Sequence, residues 1–173
     1  FIAEYGQDFS DTDSDDPDDW VYKAGDGAVH AQDGYFRILG RLDDVMNVAG
    51  HRLGTMELES AVAEVGDVAE AAVVAAEDPE KGHVPHVYVV LRDGVSASEA
   101  DVRERIVAAV EDEIGAFARP DRIAFVADLP KTRSGKIMRR LLEDISNGED
   151  LGDTTTLRDP SVPEEIRDQV RGD

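Results

Sequence analysis

A β-like run, a glycine step and an amphipathic helix follow one another without a linker between Gly40 and Val65. That succession confines the chain to a small mixed domain in which sheet and helix share one core. The run reads Gly40-Arg41-Leu42-Asp43-Asp44-Val45-Met46-Asn47-Val48-Ala49-Gly50-His51-Arg52-Leu53. Asp43-Asp44 is a poor strand pair and a good turn pair. Val45, Asn47 and Ala49 alternate with Met46 and Val48, as a short strand requires. Gly50 lets the backbone turn, or lets another group approach it closely. Thr55 then caps a helix, with Glu57 and Glu59 in its first turn. Leu58, Ala61, Val62 and Val65 recur at helical spacing. Arg41 and Arg52 each offer a planar fork of donors to a phosphate or carboxylate. Spacing alone leaves a second reading open, a surface hairpin with solvated charges.

Upstream, Ala28–Ala31 and Tyr35–Leu39 flank Gln32-Asp33-Gly34, a hairpin signal. Two strands cannot stand alone, so this hairpin is expected to belong to a larger N-terminal body. The start, through Asp19, is acidic and aperiodic and reads as a loop. A calcium loop there would need a glycine and a terminal glutamate at offsets the sequence does not supply. Downstream, residues 68–76, 86–91 and 122–127 read as strands. Residues 77–85 read as a charged loop with Pro79, Gly82 and Pro85. Ser96 with Glu99, or Ser98 with Asp101, caps a helix whose face is Val102, Ile106, Val110 and Ile114. Ile137, Met138, Leu141, Leu142 and Ile145 form a last amphipathic helix. From Asn147 the chain is polar, with a short helix expected over 163–170. No internal repeat is present. The expectation is an α+β fold: a small lid domain with a three-stranded sheet flanked by helices, preceded by the hairpin. Boundaries fall at 1–42, 43–146 and 147–173.

The 173 residues contain no cysteine, which excludes disulfides and thiol catalysis. Fourteen Arg and four Lys face 24 Asp and 15 Glu, for a net charge of -21. That charge argues against nucleic acid and anionic membrane as partners. No signal peptide or long apolar run is present, so a soluble, cytoplasmic protein is expected. A dense, Asp-rich, Lys-poor composition resembles proteins of salt-loving organisms. At molar salt, screening over about 3 Å tames the self-repulsion.

Against this background Pro130-Lys131-Thr132-Arg133-Ser134-Gly135-Lys136-Ile137 stands out. With Arg139 and Arg140 it forms the one locally positive stretch. It is not a Walker loop, because the first glycine is absent and Ile137 replaces the hydroxyl that would hold magnesium. Two readings remain: a solvated basic face, or a lysine on a mobile loop, opening a helix, that reaches a neighbouring site.

The pattern G-R-x-D-D-V-x-N-V-x-G-H-R-L-G-T resembles the hinge and first core motif of the AMP-forming acyl-CoA synthetases of the adenylate-forming superfamily, its acetyl-CoA synthetase branch in particular. P-K-T-x-S-G-K is similar to that family's last core motif. Tyr22-Lys23-Ala24-Gly25-Asp26 resembles its Y-x-[ST]-G-D motif, with Ala24 in place of the hydroxyl residue. Residues 151–160 resemble the tail of acetyl- and propionyl-CoA synthetases. The resemblance spans Trp20 to about Val170.

It implies roles residue by residue. Lys136 would be the catalytic lysine of adenylation and a target of reversible acylation, with a deacylase as partner. Asp26 would accept hydrogen bonds from the ATP ribose, assisted by Arg41; an ordinary Gly-Asp-Gly turn is the other role open to it. Arg52 would pair with a nucleotide phosphate. Asp43 would be the hinge. Ala49 and Gly50 would line the pantetheine channel of CoA, where a bulky side chain cannot fit. Backbone groups of Ala63, Val65 and Val68 would hold Mg2+, with core packing as their alternative role. One departure stands at Glu111, where relatives place a basic residue for a CoA phosphate. The implied reaction joins acetate and ATP as acetyl-AMP, then passes the acetyl group to CoA, the lid rotating between steps. The chain without its N-terminal domain is expected to have no ligase activity. Rivals are a propionyl- or other acyl-CoA synthetase lid, and a non-catalytic binding module of the same fold.

Overall fold

The structure, a computed structural model, describes residues 25–30, 34–41 and 44–172. The chain divides into two compact units, with the division between Asp44 and Val45.

In the first unit, β1 (Asp26–His30) pairs antiparallel with β2 (Phe36–Arg41), with a register shift between Gly27 and Ala28. The His30 ring stacks on Phe36 at 4.5 Å. These are the two strands expected around Asp33-Gly34; residues 31–33 lie outside the described residues, as do Trp20–Tyr22.

The second unit is one sheet packed on both faces. Its strands are β3 (Val45–Val48), β4 (His51–Gly54), β5 (Val68–Asp78), β6 (Gly82–Leu91) and β7 (Arg122–Phe125). The order runs β4-β3-β6-β5, with β7 also on β6. The sheet thus has five strands where three were expected. The hinge-like run folds back on itself as β3–β4, and Val48 joins it to Gly82 at the start of β6. β6 also begins earlier than expected, inside the presumed loop. Pro85 is tolerated there because its carbonyl, which accepts from Asp121 N at 2.9 Å, faces away from β5. The missing N–H lies on that same side, so no β5 bond is lost.

Side chains of β5, β6 and β7 alternate between two cores. Val73, Val87, Val89, Ile123 and Phe125 face one side with Leu58 and Val62 of α1 (Thr55–Ala63) and Val102, Ile106 and Val110 of α2 (Glu99–Glu113). Ala72, Val74, Tyr88, Ala124 and Val126 face the other with Leu142 and Ile145 of α3 (Arg139–Asn147). Val162, Ile166 and Val170 of α4 (Val162–Gly172) complete that second core. The polar stretch from Asn147 to Gly172 thus packs on the sheet. Its apolar residues at i, i+4 and i+8 cover sheet that would otherwise face water. Between the two caps proposed for α2, the chain uses Ser98: its Oγ accepts from Asp101 N at 3.2 Å and Asp101 returns the bond to Ser98 N. α1 is capped by Gly54 rather than Thr55, which is its first residue.

Candidate functional site

Two features flank the domain, one at each end of β6. At the Gly82 end lies the β3–β4 turn. Ala49 has φ +48 and Gly50 φ +86, and Val48 pairs with His51, the signature of a two-residue turn with two left-handed residues. Ala49 N donates to Lys81 O at 2.9 Å, tying the turn to the β5–β6 connection. A side chain on Gly50 would meet no atom within 4 Å. Within this unit glycine is therefore required there by its backbone angle, not by crowding. Ala49 bears the cost of that angle, so Ala49→Asn is expected to raise stability by about 1 kcal/mol. A higher urea midpoint at unchanged slope checks it.

A cleft of about 550 Å³ opens beside this turn, lined among others by Ala49, Lys81, Arg103, Phe117 and Arg119. The His51 ring stacks on Phe117 at 4.5 Å. Arg103 Nη1 donates to Ile123 O at 2.6 Å and its guanidinium lies over Phe125. Arg119 pairs with Glu111 at 3.3 Å. Three cations, Lys81, Arg103 and Arg119, and one carboxylate, Asp121, line this cleft in a chain of charge -21. Arg52, on β4 opposite Asn47, is exposed and has no ion pair among the described residues.

At the other end lies the lysine loop. Thr132 N donates to Lys136 O at 2.8 Å, Lys136 N to Thr132 Oγ1 at 3.1 Å and Gly135 N to Thr132 O at 2.9 Å. Lys131 bridges to Ile137. Lys136 thus rides a tight turn instead of opening a helix; α3 starts three residues later, at Arg139. The basic stretch separates into two groups. Lys131 Nζ lies 2.8 Å from Glu70 and 2.9 Å from Asp128, its side chain 12% exposed. Arg139 grips Glu59 through Nε at 2.9 Å and Nη2 at 2.7 Å. Arg140 pairs with Asp144 at 3.0 Å. Arg133 and Lys136 remain exposed, without an ion pair among the described residues. Burial pushes the Asp128 carboxyl up, but the Lys131 ammonium, the Leu129 amide and Arg158 outweigh it and hold it below the usual carboxylate range. Burial likewise pushes Lys131 down, and Glu70 and Asp128 more than reverse that. Both shifts mark an anchor, not a reactive base.

The two ends are far apart. Val48 meets β6 at Gly82, and Glu70, which holds Lys131, meets it at Val90. Eight residues of strand separate these points, roughly 26 Å.

In the first unit Asp26 and Arg41 are register partners across β1 and β2. The Arg41 guanidinium passes over Gly25, so a Cβ there would lie 3.5 Å from Nη2. Asp43 lies outside the described residues. Ala63 ends α1, Val65 follows it with a buried side chain, and Val68 opens β5. The Val65 carbonyl already accepts from Val68 N at 2.9 Å, and no side chain of the three carries an oxygen. A cation there would have to be held by backbone carbonyls, of which the Val65 one is already engaged, with its remaining oxygens supplied from elsewhere. Sequence reasoning missed Arg119, the long-range contact of Glu59 with Arg139, and Asp128, whose i,i+3 spacing to Lys131 was the one local signal available.

Residues 57–136 match the AMP-binding enzyme C-terminal domain. The chain is 57% identical over 149 residues to the acetyl-coenzyme A synthetase of Gemmatimonas aurantiaca, covering 86% of this chain and 23% of that protein. The crystal structure of Brucella canis acyl-CoA synthetase superposes with a TM-score of 0.57 at 38% identity, over 72% of this chain and 23% of the other. Anthranilate CoA ligase AuaEII, solved with anthranoyl-AMP, superposes with a TM-score of 0.64 at 32% identity, over 75% and 25%. The chain spans about a quarter of the length of the relatives it matches. Residues 57–136 thus carry the AMP-binding enzyme C-terminal domain, and the chain around them is similar to the C-terminal portions of acetyl-CoA synthetases.

Proposed function

We propose that the chain is the moving C-terminal part of an AMP-forming acetate–CoA ligase. Acetate would attack the α-phosphate of ATP, releasing diphosphate and forming acetyl-AMP. The CoA thiol would then displace AMP, forming acetyl-CoA. The observation that carries this reading is the separation of the two features: a lysine without an ion pair among the described residues, on a braced turn at one end of β6, and a cleft with three cations and one carboxylate in its lining at the other. One substrate channel cannot meet both ends at once, so the domain has to present them in turn.

In the first pose Lys136 would place a cation between two anions, the attacking carboxylate and the α-phosphate, and stabilise the charge that builds between them. Asp26 and Arg41 would hold the ribose and Arg52 a nucleotide phosphate. In the second pose the Ala49-Gly50 turn would line the pantetheine path. Arg119 and Arg103 would take the CoA phosphates, in place of the basic residue that Glu111 replaces. Asp43, beside the division between the two units, would be the hinge. Mg2+ would arrive with the ATP phosphates. Lys136, being exposed, is open to acylation, which would remove its charge, and to a deacylase that restores it. The cytoplasm, where ATP and CoA are both at hand, would be the compartment. The acyl group would be chosen elsewhere in the protein, since an anthranilate CoA ligase shares this domain.

The test is acetate-dependent exchange of diphosphate into ATP, and acetyl-CoA formation, by the full-length protein carrying this chain. Neither activity with acetate or propionate would sink the reading. The acidic surface further suits high salt. Its melting temperature is expected to rise from about 0.1 M to about 2 M KCl as repulsion is screened. A fall over that range would remove the halophilic part of the proposal.

A further inference from the structure

The lysine turn has its own hydrogen bonds through Thr132, and a second set reaches it from residues 153–158. Lys131–Thr132 is the middle strand of a three-chain ladder. Lys131 bridges to Ile137 on one side, and Thr132 bridges to Leu157 on the other. Arg158 N donates to Lys131 O at 2.9 Å and Arg133 N to Thr156 O at 3.3 Å. Leu157 is 4% exposed and fixes this segment to the domain. Arg140 Nη2 donates to Asp153 O at 2.7 Å, and Thr155 N donates to the Asp153 carboxylate at 2.9 Å. Arg158 Nη2 reaches Asp128 Oδ2 at 3.2 Å, on the same carboxylate that holds Lys131. The Lys131–Ile137 pairing has its own bonds, Thr132 N to Lys136 O and Met138 N to Pro130 O, each at 2.8 Å, but a lone two-stranded pairing this short is marginal in water, and a third strand changes that. A cation that must stand between two anions loses its value within about an ångström of misplacement.

We propose that the segment Asp153–Arg158 is a positioning strut for Lys136, required for the adenylation step and dispensable for the transfer to CoA. This rests on the role proposed above for Lys136. Neither Thr156, Leu157 nor Arg158 touches substrate in this proposal; they act through the turn.

The experiment compares Arg158→Pro, which deletes the N–H bonded to Lys131, with Arg158→Gln, which keeps it. Both are made in the full-length protein carrying this chain. Acetyl-AMP formation is expected to fall about a hundredfold in Arg158→Pro. Acetyl-CoA formation from supplied acetyl-AMP is expected to stay within about twofold, and Arg158→Gln to remain near the unaltered rate for both. In the 173-residue chain, hydrogen exchange at the Gly135 and Lys136 amides is expected to quicken about tenfold, with α2 amides unchanged. Leu157→Ala, which retains every backbone donor, serves if the α2 amides show that Arg158→Pro has unfolded. Equal loss of both half-reactions, or faster exchange with adenylation intact, overturns the strut. No acetyl-AMP from the unaltered protein fells the parent reading instead, and unchanged exchange at Gly135 and Lys136 then fells the strut on its own account.

Discussion

Lys136→Ala is expected to lower acetyl-AMP formation by a factor on the order of 10³ while leaving the domain as stable as before. The two halves of that expectation come from the same observation. The Lys136 side chain is exposed and has no ion pair among the described residues, so its removal leaves no buried group unsatisfied. Exposed substitutions of this kind stay within about 0.5 kcal/mol. Its backbone, not its side chain, closes the turn through Thr132, and alanine keeps that backbone. The loss would therefore be chemical. In the proposed function, transfer to CoA from supplied acetyl-AMP would use the opposite end of β6, so it is expected to be unchanged. Lys136→Arg retains the charge but replaces a compact ammonium by a wide planar fork, so it is expected to rescue little. Acetate-dependent diphosphate exchange reads the first step, thioester formation the second, and a thermal melt the fold. Adenylation that survives the alanine change would remove Lys136 from the chemistry.

How far the sequence reached depends on the range of each interaction. The α2 cap was legible because Ser98 and Asp101 complete it within one turn. The β3–β4 turn was legible in part: Gly50 announced a turn, but nothing in Ala49 announces φ +48, which the partner strand and the Lys81 carbonyl impose. The start of β6 was misjudged because Pro85 and Gly82 argue locally for a loop. The sheet overrides them by turning the Pro85 nitrogen toward the side where no β5 bond is needed. The acid- and proline-rich stretch after Asn147 hides its apolar positions among charges, and only the bare second face of the sheet explains why Ile166 and Val170 are buried. The motifs put Arg52 in a β-like run and a turn at Gly50, but they set Lys136 at the opening of a helix that starts only at Arg139 and Ala49 in a strand that ends at Val48. They said nothing of what holds them, since Lys131 meets Glu70 across 61 residues and Arg139 meets Glu59 across 80.

The Glu59–Arg139 contact is where the largest loss of stability is expected. Glu59 was legible only as an acid in the first turn of a helix. In the fold its carboxylate has a second occupation. Oε1 accepts from Val73 N at 2.9 Å and from Arg139 Nε at 2.9 Å, while Oε2 accepts from Arg139 Nη2 at 2.7 Å. β5 is an edge strand, and Val73 is fully buried, so Glu59 satisfies an edge N–H that water cannot reach. The side chains of Glu59 and Arg139 are 16% and 28% exposed, dry enough for the pair to matter and wet enough to fall short of a fully buried one. Glu59→Ala would orphan the Val73 N–H and leave the guanidinium half-buried, at a cost of about 3 kcal/mol. For a chain of this size that is roughly 6–12 °C in melting temperature. Glu59→Gln keeps an acceptor for Val73 and loses only the charge, so about half that cost is expected. A double-mutant cycle with Arg139→Met isolates the pair, with a coupling of about 1–2 kcal/mol expected. Arg139 also fixes the chain three residues after Lys136, so Glu59→Ala should impair adenylation more than CoA transfer at temperatures where the fold persists. A melt shifted by less than a degree would mean that water or another acceptor already serves the β5 edge, and that the pair is ornament.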